Sequence, residues 1–161
     1  MTNIFEFAMQ MEKDGENYYR QLAQQAHNDG MRTILTMLAD EEVKHYNALD
    51  KIKTQQTQIA ESGILTDAKN VFAQIKESGD SIDFDINQAE LYKKAQDIEK
   101  KSQDFYTEKA NEVTEEFQKE LFLKLAVEEK KHYVLLDNII DFISRPKQWL
   151  ENAEFFHMED Y

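Results

Sequence analysis

Glu128-Glu129-Lys130-Lys131-His132-Tyr133 repeats, 87 residues later, the stretch Glu41-Glu42-Val43-Lys44-His45-Tyr46. Each copy contains Glu-x-x-His. On a helix, residues i and i+3 share one face about 4.5 Å apart along the axis, so the carboxylate and imidazole of one copy can grip a single metal ion. The same offset links a second pair of segments: Ala8, Glu12, Lys13, Tyr19 and Ala23 match Ala95, Glu99, Lys100, Tyr106 and Ala110. Each half therefore reads as a helix with one inward Glu, followed by a helix with Glu-x-x-His.

One such half cannot easily bury its own apolar stripe, whereas two packed face to face make a four-helix core with pseudo-two-fold symmetry. Six side chains then converge at its centre as candidate metal ligands: Glu12, Glu42, His45, Glu99, Glu129 and His132. A lone Glu-x-x-His usually marks a surface pair or a satisfied core histidine. Two copies at one offset, each following an alanine (Ala39, Ala126) and each paired with an upstream Glu, are a different signal. Four carboxylates in one core without cations would repel one another and carry a severe desolvation cost.

The composition agrees. At 161 residues the chain suits a single domain, 1–161, with the bundle over about 4–145 and a tail over about 146–161. Four glycines and one proline favour long helices over a turn-rich β-protein, so the expected class is all-α. The balance of 32 acidic against 19 basic residues gives a formal charge of -13, which repels nucleic acid and anionic lipid. With no cysteine, disulfides, thiolate chemistry and iron-sulfur clusters are excluded, and any metal must be held by oxygen and nitrogen. The first residues lack a basic region followed by an apolar run, and no stretch approaches a membrane span in length. The expected location is cytoplasmic, with no membrane partner.

Periodicity predicts a first helix capped by Asn3 and running to about His27, a tight break at Asn28-Asp29-Gly30, and a second helix from about Met31 to Glu61, ended by Ser62-Gly63. A short helix over Thr66 to Ile75 and a turn-rich exit over Glu77-Ser81 read as the long crossover between helices 2 and 3 that a ferritin-like bundle of two hairpins needs. Helix three is expected from Asp85 as cap to about Ala110, and helix four from Thr114 as cap to about Ser144, where Arg145-Pro146 interrupts it. The apolar Trp149-Leu150 and Phe155-Phe156 are expected to pack on the bundle or on a partner subunit as a short C-terminal extension. Phe7 and Ile98 fall on the stripes expected to be inward.

Hard carboxylates with one imidazole per ion suit Fe or Mn, and carboxylates able to bridge suit a dinuclear centre, with Zn a possible occupant without redox function. His45 and His132 would be terminal ligands, Glu12 and Glu99 would serve one per half, and Glu42 and Glu129 would bridge. Tyr19 and Tyr106 each follow their Glu by seven residues, nearly two turns, where a phenol can hydrogen-bond a ligand carboxylate from outside the ligand ring. Glu16 is expected to pair with Arg20 on the helix surface, and its counterpart Gln103 is neutral. His27 and His157 are expected to be solvated. Glu41 and Glu128 precede the ligands by one residue, so they should point about 100° away and pair with Lys44 and Lys131.

Ala8-x3-Glu12-x6-Tyr19, Ala39-x2-Glu42-x2-His45, Ala95-x3-Glu99-x6-Tyr106 and Ala126-x2-Glu129-x2-His132 together resemble the rubrerythrin branch of the ferritin-like superfamily. The resemblance implies a non-haem di-iron oxidoreductase that reduces hydrogen peroxide to water in defence against oxidative stress. Two departures stand out. Rubrerythrins commonly carry a further Glu three residues after the third-helix ligand, where this chain has Ser102, so the ligand set is more symmetric. They also often carry a rubredoxin domain with four cysteines; lacking it, this chain would take electrons from a separate rubredoxin-type carrier. The alternatives are reaction with O2 as a ferroxidase in iron storage or delivery, and a metal-binding scaffold without turnover. A homodimer is the expected assembly.

Overall fold

The computed structural model describes residues 3–52, 62–78, 88–145 and 149. Among these residues five helices follow in order: α1 (Ile4–Gln25), α2 (Asp29–Lys51), α3 (Ile64–Ser78), α4 (Gln88–Glu112) and α5 (Glu116–Ser144). No strand occurs among the described residues. The all-α, ferritin-like class read from the repeat is the one observed. Two long hairpins, α1–α2 and α4–α5, pack through α1 against α4, and α3 lies against α2 and α5.

The first cap is as expected: the Asn3 side chain accepts from the Phe5 N–H at 2.9 Å, satisfying one of the orphan donors of α1. The second differs. Asn28 is itself the N-cap of α2, accepting from Met31 N–H at 3.1 Å, so Asp29 and Gly30 lie inside the helix rather than in a turn. Gly30 answers to packing: a Cβ there would stand 2.6 Å from Ile75 Cδ1, so glycine lets α3 close on α2. Ser62-Gly63 opens α3 rather than merely ending α2, since Ser62 Oγ accepts from Ile64 N–H at 3.1 Å. The α3 helix is longer than expected and takes in Glu77 and Ser78.

Thr114 is not the cap of the last helix; Glu115 occupies that position without a side-chain hydrogen bond. The expected cap Asp85, the stretch assigned to α2 beyond Ile52, and the tail except Trp149 lie outside the described residues. Trp149 is fully buried against Phe72 of α3 and Phe142 of α5, with ring centroids 4.8 and 5.5 Å away. Phe7 and Ile98 are corrections to the expected inward stripes: they are 48% and 38% exposed.

The core falls into two apolar clusters. One, around Tyr19, Leu35, Leu38, Phe72, Leu135 and Phe142, fills the end that α3 closes. The other, around Ala8, Leu49, Tyr106, Phe122 and Leu125, fills the opposite end. Each contains one of the two repeat-related tyrosines.

Candidate metal centre

The six residues singled out by the repeat meet inside the bundle, one from α1, two from α2, one from α4 and two from α5. Glu12, Glu42, His45, Glu99, Glu129 and His132 are all buried. They form two groups, Glu12–Glu42–His45–Glu129 and Glu42–Glu99–Glu129–His132, in each of which the donor atoms lie within 4.8 Å of one another. Glu42 and Glu129 belong to both groups, the arrangement that two carboxylates bridging a pair of ions require. The imidazoles stack in parallel, centroids 5.6 Å apart and planes 9° from coplanar.

The donor atoms crowd together, and several of them find no partner. His45 Nδ1 lies 2.9 Å from Glu129 Oε1 and 3.4 Å from Glu12 Oε2, yet none of these three atoms has a hydrogen-bond partner. Glu99 Oε2 is likewise buried and unpartnered. In the other group His132 Nδ1 shares a hydrogen bond with Glu42 Oε1 at 3.1 Å, and Glu99 Oε1 stands 3.4 Å from the same nitrogen. Buried polar atoms without partners cost about 1–3 kcal/mol each, more when charged. A cation among them removes that cost, and an all-oxygen and imidazole donor set fits iron or manganese.

The electrostatics divide the carboxylates by role. Burial opposes the charge on all four. At Glu99 burial is outweighed by His132 and by the hydrogen bonds the carboxylate accepts, so its carboxyl is held down at about 2. Glu12 is lowered in the same way, with His45 as the main attraction against burial. Glu42 and Glu129 are pushed well above the usual range, first by burial and then by the surrounding carboxylates. At His132 burial disfavours the charge, but Glu99 overcomes it and the net shift is upward. The two carboxylates shared by the groups are thus the ones that cannot hold a charge without help.

The tyrosines do more than the two-turn spacing suggested. Tyr19 of the first half donates its hydroxyl hydrogen bond to Glu99 of the second, and Tyr106 of the second donates to Glu12 of the first. Burial and the adjacent carboxylates push both phenols well above their usual value, so they remain protonated donors.

Among the neighbours, Glu16 accepts from Arg20 Nε at 2.7 Å on the helix surface, as its spacing indicated. Glu128 pairs with Lys131 at 3.2 Å, but it is buried rather than turned outward. Glu41 instead accepts from Ser62 Oγ at 2.6 Å. Ser102, one of the departures from the resemblance, is buried on α4. Its repeat counterpart, Gly15, went unnoticed in the sequence: a Cβ there would stand 3.2 Å from Glu42 Oε2. Its signal was available, since a glycine inside a long helix costs about 1 kcal/mol relative to Ala and calls for a packing reason. No described helix is long and apolar enough to cross a membrane.

The rubrerythrin family model matches residues 3–140. No curated protein and no solved structure matches the chain.

Proposed function

The chain belongs to the rubrerythrin family, and we propose that its paired Glu and His clusters hold two iron ions and reduce hydrogen peroxide to water. The observation that carries this reading is the set of buried donor atoms, several of them unpartnered, gathered into two groups that share Glu42 and Glu129. Glu12 and His45 would hold one ion, Glu99 and His132 the other, with Glu42 and Glu129 between them. When bound and reduced, the ions supply the two electrons of the conversion H2O2 + 2e⁻ + 2H⁺ → 2H2O.

The protein's part is positioning. Tyr19 and Tyr106 hold one oxygen each of Glu99 and Glu12, which fixes the rotamers of both carboxylates across the hairpin interface. The apolar clusters on either side exclude bulk water from the centre. These 161 residues contain no cysteine, so the electrons would come from a rubredoxin-type carrier outside them. Mn and Zn fit the same donors; only a redox-active metal serves the reaction.

The test is to mix anaerobically iron-loaded, reduced protein with peroxide and with O2 in separate stopped-flow runs. Peroxide should oxidise the centre faster than O2. Faster oxidation by O2, together with uptake of further iron, would establish the ferroxidase alternative instead.

A further inference from the structure

Outside the six central donors, one carboxylate stands in a position that its repeat partner does not share. Glu41 offers an oxygen within 4.8 Å of a ring nitrogen of both His45 and His132. It belongs to neither of the groups containing Glu12, Glu42, Glu99 and Glu129. Those four carboxylates crowd the Nδ1 atoms of the two rings. Those carboxylates leave both Nε2 atoms open, and both are buried without a hydrogen-bond partner.

We propose that Glu41 is a positioning residue shared by the two imidazoles, accepting from both Nε2–H groups and so presenting both Nδ1 lone pairs to the metal pair. This rests on the metal-binding reading above. A metal-bound histidine generally donates its second N–H to a carboxylate, carbonyl or water, which fixes the tautomer and raises the basicity of the ligating nitrogen. The rings are nearly parallel with centroids 5.6 Å apart, and an oxygen of Glu41 is near a nitrogen of each, so one carboxylate can serve both. A span of this length is closed by a small side-chain rotation or by one bridging water.

Glu41 is itself steered. Ser62 Oγ donates to its Oε1, and the same Ser62 is anchored by its N–H to Glu128 Oε1 at 3.3 Å and by its carbonyl to Lys131 Nζ at 3.2 Å. The repeat is broken here to good effect. Glu128, the counterpart of Glu41, turns its Oε1 to Lys131 and the Ser62 N–H and falls in no donor group with the histidines, whereas Glu41 is grouped with both rings. The entry to α3 thereby fixes the geometry of the metal centre.

The full-length protein, stripped of metal and titrated with cobalt(II), tests this. Cobalt reports its ligand field in the visible spectrum, so geometry and affinity are read without turnover. Glu41→Ala should weaken both cobalt ions by about ten- to a hundredfold and shift their visible bands. Glu41→Gln, which keeps an acceptor oxygen, should recover most of the affinity and the wild-type band positions. Ser62→Ala should give a smaller loss in the same direction. Wild-type cobalt affinity and spectrum in Glu41→Ala would overturn the proposal, as would a loss confined to one of the two ions. Failure of the wild-type protein to take up two cobalt ions would overturn the metal-binding reading itself, whereas the former outcomes leave that reading intact.

Discussion

Gly15 and Glu42 touch across the α1–α2 hairpin: a Cβ on the glycine would stand 3.2 Å from Glu42 Oε2 and 3.4 Å from its carboxyl carbon. That separation is tighter than ordinary contact, but the neighbour is the end of a flexible side chain. Gly15→Ala therefore sets two effects against each other. The helix gains up to about 1 kcal/mol of propensity, while the carboxylate between the two donor groups is displaced by a few tenths of an ångström. The metal-free variant should melt at or above the wild-type temperature, and the extra stabilisation from zinc should shrink. Calorimetry with and without zinc measures both; an undiminished zinc increment would show that the glycine contact is without consequence for the centre.

Tyr19→Phe removes the donor to Glu99 while leaving the ring in its apolar cluster. A hydrogen bond to a charged group contributes about 1.5–3 kcal/mol, and a loss of that size is expected from urea unfolding of the metal-free protein. Tyr106→Phe should cost a similar amount through Glu12. A loss below about 0.5 kcal/mol in both would mean that the cross-hairpin bonds do not hold the carboxylates.

The metal-free protein should lose stability as the pH rises. Glu42 and Glu129 titrate near 4.5 when unfolded and well above it when folded. Their contribution is fully present below the unfolded value and is lost as the pH climbs through the folded one. Glu12 and Glu99, lowered in the folded state, act oppositely, and their contribution disappears only as the pH falls below 4.5. Between about pH 5 and 8 the melting temperature should therefore fall without metal and hold or rise with it, because ions displace the protons. A flat profile without metal would contradict the assignment of Glu42 and Glu129 as the strained pair.

Glu129→Gln separates stability from metal binding. Replacing the carboxyl by a neutral amide relieves the like-charge contact, so the metal-free variant should be more stable than wild type at pH 8. It should also bind fewer than two ions per chain by elemental analysis. Retention of two ions would remove Glu129 from the ligand set.

Trp149 is the sole tryptophan, so its fluorescence reports on one contact. Buried between Phe72 and Phe142, it should emit at short wavelength in the folded protein and be poorly quenched by iodide. Trp149→Ala should cost about 3–5 kcal/mol, the range for large aromatic deletions in a core. Emission typical of a solvated indole would show that the contact does not persist in solution.

Much of this was legible in the sequence because two constraints coincided there. The offset repeat placed Glu12, Glu42, His45 and their partners on helix faces, burial of the apolar stripes required those faces to meet, and the desolvation cost of four carboxylates called for cations among them. Hairpin direction and the Asn3 cap followed from local chemistry. What escaped depends on neighbours distant in the chain. Gly30 looks like a turn residue until Ile75 is seen resting on it. Glu128 reads as a surface residue because spacing alone cannot foresee that Ser62 and Lys131 enclose it. The reach of Tyr19 to Glu99 needs the crossing of α1 over α4, which no single-helix period contains. Phe7 and Ile98 show the converse, apolar residues on an inward stripe that the bundle leaves partly uncovered.

The crossed tyrosines carry a historical implication. Neither hairpin completes its own ligand environment, because each sends its phenol to the acid of the other. An ancestral chain of half the length could have assembled the same centre only by pairing with its twin. Within one chain the two sides of the centre are free to differ, as the different contacts of Glu41 and Glu128 show.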